Sequence, residues 1–190
     1  MNIPPVDGLV LSDGKVLLRP YQRDDIERLY EAAIESVETV YPWLLWCHPK
    51  YSMAESEQWV KSRPGEWAAG NSFEFVMVDP KNSRFVGACG LNQFRMEHKI
   101  ANLGYWVRRT AMGQGYAPAA TRLLARFGFE QLGLNRIEIV VAGGNIPSQR
   151  AAEKAGAIHE GVLRARLSIH DKVHDAVIYS FIPADFGIAA

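Results

Sequence analysis

The sequence predicts an α/β protein in which helices flank one mixed, mostly antiparallel sheet of seven strands. Residues 100–141 read as a strand, a helix and a second strand, and such a unit places its two strands parallel. Residues 73–94 and 161–181 each contain two apolar runs around turn-forming residues, which is typical of antiparallel hairpins. We therefore expect one parallel strand pair within an otherwise antiparallel sheet.

Apolar periodicity places each element along the chain. Strands are expected at residues 15–20, 73–78, 85–94, 100–107, 135–141, 161–169 and 173–181. Residues 24–36 have the apolar spacing of a helix. Ser52 and Glu55 match a capping box that starts a second helix. This second helix is expected to break or bend at Pro64–Gly65. A third helix follows a glycine-rich loop and stops at Gly133, and a short fourth helix begins at Asn145.

Composition narrows the class of protein. The 190 residues suggest a single domain, 1–190, with enough chain for a sizeable core. The net charge is zero, which argues against bulk electrostatic binding to nucleic acid or to a membrane surface. The two cysteines, Cys47 and Cys89, lie among apolar residues and are expected to be packed thiols. No membrane-spanning run or secretory signal is recognisable, so we expect a cytoplasmic protein.

The glycine-rich loop at residues 112–118 is the strongest local signal. Gly113 and Gly115 allow a sharp turn that brings backbone N–H groups close to a ligand, and Pro118 suits the first turn of a helix. A strand, a glycine turn and a helix N-terminus together form a phosphate-binding arrangement. The same pattern also fits a helix start without a ligand. The loop lacks the Gly-Lys-Ser/Thr of a P-loop, and Pro118 stands where a dinucleotide fingerprint needs its third glycine.

Four segments together resemble the GNAT superfamily of N-acyltransferases, and specifically its RimJ/RimL branch, which acetylates N-terminal amines of ribosomal proteins. The segments are LLRPYQRDDIERLYEA, GYWVRRTAMGQGYAPAA, NRIEIVVAGGNIPSQRAAEKAGAIHEGVLR and DAVIYSFI. The second is similar to the superfamily's coenzyme A loop, and the third carries the spacing Asn145-x-x-Ser148 that is typical of the branch. The resemblance covers nearly the whole chain.

The resemblance implies acetyl-coenzyme A as the co-substrate, no metal, and direct transfer to the acceptor. The residues it implies for the coenzyme are Trp106, Val107 and Arg108 along the pantetheine arm, Met112, Gly113, Gln114, Gly115, Tyr116 and Ala117 at the pyrophosphate, and Asn145, Ser148 and Arg150 on the following helix. Asn145 and Ser148 are also the implied catalytic residues, Ser148 lying near the thioester sulfur. A backbone N–H near Val107 is the expected oxyanion donor.

The sequence departs from the family pattern at three positions. Thr110 replaces the Gln/Arg that begins the loop, so Arg108, Arg109 or Gln114 would have to compensate. Asn102 stands where relatives often carry an acidic residue, and Leu167 stands near the carboxylate proposed as base in the branch. The general base is therefore left open between three candidates, namely Glu74, Glu138 and His170.

The expected acceptor is a primary amine, with a protein or peptide N-terminus favoured. The alternative acceptor is a small amine such as an antibiotic, polyamine or aminoacyl-nucleotide. Two alternative functions are a non-catalytic acyl-coenzyme A binding module and a nucleotide-binding protein. Four tryptophans could wall an acceptor pocket: Trp43, Trp46, Trp59 and Trp67. Branch members are often dimers, so the resemblance includes a homodimer among the expected assemblies.

Overall fold

The computed structural model describes residues 3–189, which form one eight-stranded sheet with two helices on each face. The strands are β1 (Leu11–Ser12), β2 (Leu17–Pro20), β3 (Phe73–Asp79), β4 (Arg84–Arg95), β5 (Ile100–Val107), β6 (Arg136–Ala142), β7 (Ile158–Ile169) and β8 (Lys172–Phe181). The helices are α1 (Asp25–Val40), α2 (Met53–Ala68), α3 (Tyr116–Glu130) and α4 (Ile146–Lys154), with short 3₁₀ turns at Arg109–Ala111 and Pro183–Phe186.

The sheet order is β1-β2-β3-β4-β5-β6-β8-β7. Strands β5 and β6 are parallel, and the other neighbouring strands of the described chain are antiparallel, which confirms the predicted topology. The eighth strand is β1, whose Leu11 and Ser12 pair with Leu18 and Leu17. The sequence did not reveal it because two residues are too few to show an alternating pattern.

Helices α3 and α4 cover one face of the sheet, which we call the donor face. This face holds the main core, in which Leu124 and Phe127 of α3 pack on Phe75, Leu103 and Ile137. Helices α1 and α2 cover part of the opposite face, which we call the acceptor face. There Leu29 and Val60 pack against Val76 and Ala88. Both faces therefore carry packed helices, and those on the acceptor face cover it only in part.

Helix α2 continues through Pro64 to Ala68, so the expected break at Pro64–Gly65 is wrong. The proline removes one backbone donor, but the turn beyond it is retained, with the Ala69 N–H donating to Gly65 at 3.0 Å. Trp67 in this last turn is buried and packs edge-on against Phe73 at a ring distance of 4.9 Å. Tertiary packing of Trp67 outweighs the local cost of the proline.

Two further expectations have clear outcomes. Helix α1 runs four residues past Ser36, to Val40. Both cysteines are buried free thiols, as predicted. Within residues 3–189, no helix combines the length and apolar character needed to cross a membrane.

A β-bulge shapes strand β4 where it faces the end of β5. Met77 and Val78 of β3 pair with Gly87 and Phe85, so Val86 is the extra residue. Gly87 has a φ of +153°, and a Cβ there would lie 2.2 Å from the carbonyl oxygen of Trp106. Only glycine fits this position without moving the backbone of β5.

Glu35 of α1 holds the segment that follows β5. Its carboxylate accepts hydrogen bonds from the Thr110 N–H at 2.9 Å and the Arg108 Nε at 2.6 Å, and Ser36 accepts from the Arg109 N–H at 3.0 Å. Burial alone would raise the pKa of Glu35, but the hydrogen bonds from Thr110 and Arg108 outweigh it and lower the pKa from 4.5 to about 2. The carboxylate is therefore a structural anion that fixes the start of the glycine-rich loop.

We predict that Gly87→Ala destabilises the fold by about 2 kcal/mol or more, because the new Cβ collides with the backbone of β5. Gly104→Ala is the matched control, since an added Cβ there meets no atom within 4 Å and stability should not change. Urea unfolding of both variants measures the difference. Equal stabilities for the two variants would contradict this account of the bulge.

We predict that Glu35→Gln lowers the free energy of unfolding at pH 7 by about 1–2 kcal/mol, since hydrogen bonds to a charged group are lost. Because folding lowers the pKa of this carboxyl, its ionised form stabilises the folded protein at any pH above the pKa in the unfolded state. This stabilisation disappears as the pH falls from about 4.5 toward 2. The difference from the wild type should therefore shrink between pH 5 and pH 3. Denaturation at several pH values measures it, with the exposed Glu38→Gln on the same helix as control.

Candidate active site

Strands β5 and β6 separate after a short paired segment. Their parallel pairing extends only from Ile100–Arg136 to Asn102–Glu138. Beyond it, β5 continues beside β4 as far as Val107, whereas β6 continues beside β8 as far as Ala142. A wedge-shaped gap, which we call the cleft, therefore opens between the carboxyl ends of the two parallel strands.

Backbone donors of β5 face this cleft. The Arg108 N–H donates to Val86 of β4 at 2.8 Å, so Arg108 belongs to a hydrogen-bonded pair of the β4–β5 ladder. Hydrogen-bonding direction alternates along an antiparallel strand, so the N–H groups of Val107 and Tyr105 point away from β4 and toward the cleft. The expected oxyanion donor at Val107 is therefore correctly oriented to bind an acyl oxygen placed there.

The glycine-rich loop lies at the end of β5 and leads into α3. Gly113 and Gly115 adopt positive φ angles of 74° and 83°, and α3 begins at Tyr116. Within residues 3–189, the five consecutive N–H groups from Gly113 to Ala117 have no protein acceptor. These donors lie next to the positive end of a 15-residue helix dipole, which is an arrangement suited to a pyrophosphate.

The side chains of the loop point away from that place. Arg108 is paired with Glu35, and the Tyr116 hydroxyl donates to Asp79 at 2.9 Å on the β3 side of the loop. The Gln114 amide donates to the carbonyl of Thr110 at 3.0 Å. The loop therefore offers its backbone to a ligand, and the Arg108 guanidinium is engaged elsewhere. The sequence did not reveal this role of Arg108, because Glu35 is 73 residues away from it.

Helix α4 provides the second wall of the cleft. Asn145 caps it, with its side-chain oxygen accepting from the Ser148 N–H at 3.2 Å, as the sequence predicts. The Ser148 hydroxyl lies 3.0 Å from the Tyr105 hydroxyl, which also donates to the Ser148 carbonyl at 2.9 Å. Burial raises the pKa of Tyr105 to about 12, so this phenol stays protonated. Sequence reasoning missed Tyr105, although its parity with Leu103 places it on the donor face.

Arg150 lies two residues after Ser148 on α4. Its side chain is exposed and makes no hydrogen bond within the described residues. It is therefore a cation that remains available to a ligand. Within the same part of the chain, no three His, Cys, Asp or Glu side chains converge as metal ligands would.

The four tryptophans that were expected to wall a pocket are separated in the structure. Trp46 packs edge-on against Trp106 at 5.2 Å, and Trp43 contacts the loop before α4, where it would lie 3.2 Å from a Cβ on Gly144. Both therefore border the acceptor side of the cleft. Trp67 belongs to the core, so the expectation for it is wrong, and Trp59 stacks on Arg63 of α2 at 3.6 Å.

The three candidate bases have different surroundings. His170 lies in the β7–β8 turn, where its Nε2 is 2.9 Å from the Tyr41 carbonyl. Glu138 is paired with both Arg95 and Arg136 at 2.6 and 2.9 Å. Glu74 forms no ion pair within the described chain, and burial raises the pKa of its carboxyl. Burial therefore raises the proton affinity of the Glu74 carboxylate, which is the direction that a general base requires.

Comparisons with known proteins agree with this architecture. The family described as "Acetyltransferase (GNAT) domain" matches residues 15–158. The Bacillus subtilis protein YdaF, provisionally named a ribosomal N-acetyltransferase, is 28% identical over 172 residues, which are 90% of this chain and 93% of that protein.

Solved structures give the same result. One from Vibrio cholerae, provisionally described as a ribosomal-protein-serine acetyltransferase, is 28% identical with a TM-score of 0.80 and covers 96% of this chain and 100% of its own. RimL, an L7/L12 N-acetyltransferase solved with coenzyme A, shares the fold at 20% identity and a TM-score of 0.80, over 96% of this chain and 98% of its own. The predicted resemblance to the RimJ/RimL branch is confirmed at this modest identity. The chain therefore belongs to the GNAT acetyltransferase family and is an acyl-coenzyme A-dependent N-acyltransferase.

Proposed function

We propose that the protein transfers the acetyl group of acetyl-coenzyme A directly to a primary amine, and that the amine is the N-terminus of a protein or peptide. The observation that carries the proposal is the cleft between β5 and β6, which ends at five unpaired backbone N–H groups. A long, flexible thioester with a pyrophosphate at its far end matches that combination of a narrow gap and an anion site.

The proposed donor site uses both walls of the cleft. The pyrophosphate binds the N–H groups of residues 113–117, with Met112 leading into the loop, and the pantetheine arm extends along the backbone of Trp106, Val107 and Arg108. Asn145 lies where the strands diverge, and its side-chain nitrogen makes no hydrogen bond within residues 3–189. Arg150 is assigned a contact with a phosphate. In this arrangement the thioester lies between Val107 and Ser148.

The chemistry then follows from the groups at that point. The amine nitrogen attacks the thioester carbon, and the Val107 N–H stabilises the negative charge that develops on the acyl oxygen. The leaving thiolate, with an ordinary pKa of about 8.5, is stabilised by the Ser148 hydroxyl. The Tyr105 hydroxyl lies 3.0 Å from the hydroxyl of Ser148 and holds it in position.

Two observations bear on the acceptor. The YdaF name and the Vibrio cholerae structure's description both refer to ribosomal acceptors, which supports a protein N-terminus. The edge-on pair of Trp46 and Trp106 supports the second candidate, a small amine that carries a ring. Thiol release measured with free N-terminal peptides and with ring-bearing small amines distinguishes these acceptors.

We predict that acetyl-coenzyme A raises the melting temperature and that ATP and NAD do not. A ligand at about 100 times its dissociation constant adds about 2.7 kcal/mol to stability, which is readily measured by differential scanning fluorimetry. A shift with ATP or NAD and none with acetyl-coenzyme A would contradict the proposed donor site.

We predict that Ser148→Ala and Arg150→Ala have separate effects. Ser148→Ala should lower kcat by about 10²-fold, with the dissociation constant for acetyl-coenzyme A changed by less than about twofold. Arg150→Ala should weaken acetyl-coenzyme A binding about tenfold with little change in kcat, since a hydrogen bond to a charged group is lost. Calorimetry and thiol-release kinetics measure the two quantities.

Arg126→Ala is the control for loss of a surface arginine, because Arg126 pairs with Glu130 at the far end of α3. Arg126→Ala should leave both kcat and the dissociation constant for acetyl-coenzyme A unchanged. If Ser148→Ala retains full turnover with acetyl-coenzyme A bound, the role given to Ser148 is wrong.

A further inference from the structure

Two glycines face each other on the acceptor side of the sheet. Gly90 of β4 and Gly104 of β5 are direct cross-strand partners, so both missing side chains belong to the same face. A Cβ on Gly104 would meet no atom within 4 Å, and the residue remains partly exposed. The pair therefore leaves a groove across two strands, which we call the glycine trough.

The rows of residues on either side give the trough its walls. On one side, Val76, Ala88 and Trp106 are successive cross-strand partners and form an apolar row beneath α1 and α2. On the other side, the polar side chains of Asn92 and Asn102 are joined by a hydrogen bond of 3.0 Å. The trough thus has one apolar wall and one polar wall.

The two ends of the trough differ. On the β6 side of Gly104 no strand of the described chain is paired, because the β5–β6 ladder stops at Asn102, and the trough opens into the cleft. At the β3 end, the Glu74 carboxylate covers Gly90 so closely that a Cβ there would lie 1.9 Å from its Oε2. Adjacent strands are about 5 Å apart, so this carboxylate lies within one water molecule of a group bound above Gly104.

Glu74 has an unused hydrogen-bonding capacity. Its Oε1 accepts one long hydrogen bond, 3.4 Å, from the Asn92 amide, and its Oε2 has no partner within the described residues. Oε2 is in contact with solvent, because Thr121 Oγ1 is the only fully enclosed side-chain polar atom of the described residues that has no hydrogen-bond partner. A carboxylate that is mostly enclosed and under-satisfied is suited to receive an N–H donor from a ligand.

We propose that the glycine trough binds the amino group of the acceptor and that Glu74 removes its proton, directly or through one water molecule. This inference rests on the proposed acetyl transfer and names the acceptor site and base for it. The trough is one side chain deep, so it admits a primary amino group and excludes a secondary or tertiary one.

The proton balance is as follows. The ammonium form of the acceptor carries three protons on nitrogen, and the amide product carries one. One proton passes to the Glu74 carboxylate and makes the amine nucleophilic. The second leaves as the C–N bond forms and the C–S bond breaks, and the coenzyme A sulfur gains a proton beside Ser148. Glu74 then releases its proton to solvent, and no other reactant is needed.

The charged and titratable groups around Glu74 set its behaviour with pH. Tyr21 lies before α1, Cys89 is next to Gly90, and Arg63 of α2 faces the carboxylate. Burial raises the pKa of Glu74, while Asn92 and Arg63 lower it by less. The activity is therefore expected to fall with decreasing pH through a value above the ordinary glutamate pKa of about 4.3.

The first test compares pH profiles. Wild type and Glu74→Gln are assayed for thiol release with acetyl-coenzyme A and tripeptides Xaa-Ala-Ala that have a free N-terminus. We expect Glu74→Gln to lose about 10²-fold in kcat and to lose the acidic limb of the profile, with unchanged acetyl-coenzyme A binding. Gly104→Val should raise the KM for the peptide at least tenfold, again with acetyl-coenzyme A binding unchanged.

Glu31→Gln, an exposed carboxyl on α1, is the matched control. The inference is overturned if Glu74→Gln keeps full activity. It is also overturned if Glu138→Gln, and not Glu74→Gln, loses the acidic limb of the pH profile. If the wild type itself does not bind acetyl-coenzyme A, the proposed function has failed rather than this inference.

The second test needs no known acceptor. The protein is labelled with ¹³C at its glutamate carboxyls and studied by NMR. The Glu74 signal is identified by its absence from the spectrum of Glu74→Gln. Its chemical shift is then followed as a function of pH, with and without propylammonium chloride. A cation in the trough should move the Glu74 titration to lower pH, and Gly104→Val should abolish that movement. A Glu74 titration that propylammonium leaves unchanged in the wild type would refute the amine site.

Discussion

The short pairing of β5 with β6 is the constraint on which the site depends. Three residues of each strand are enough to hold the parallel pair together, and every later residue is free to separate. The separation leaves backbone donors of β5 without a strand partner, admits α4 beside them, and opens the trough at Gly104 toward the donor face. A ladder extended by a few residues would remove all three features while keeping the sheet intact.

Much of the fold was predictable because its signals are periodic and local. The parallel pair and the antiparallel hairpins were visible as changes between helical and alternating patterns, and Asn145 was visible as a cap. Two features were not. The two-residue strand β1 has no period to recognise, and α2 continues through Pro64 because Trp67 packs on Phe73, a contact made after the chain folds.

The site was predictable where it consists of backbone and unpredictable where distant side chains meet. A glycine loop before a helix indicates an anion site without any knowledge of tertiary structure. The contacts of Glu35 with Arg108 and of Tyr105 with Ser148 join residues 73 and 43 positions apart, and no local pattern encodes them. The position of Glu74 above Gly90 likewise depends on strand register, although glycine inside an apolar strand is itself a sign of close approach.

Helix α1 has a consequence for how the two substrates influence each other. Through Glu35 and Ser36 it holds the segment that leads to the donor loop, and a few residues later it continues into the turn that carries Trp46 against Trp106. One helix thus contacts both the segment before the proposed donor loop and the turn beside the proposed acceptor site. If occupation of the donor loop shifts α1, the proposed acceptor opening shifts with it, and thermodynamic reciprocity then requires that acceptor binding change the donor affinity by the same factor.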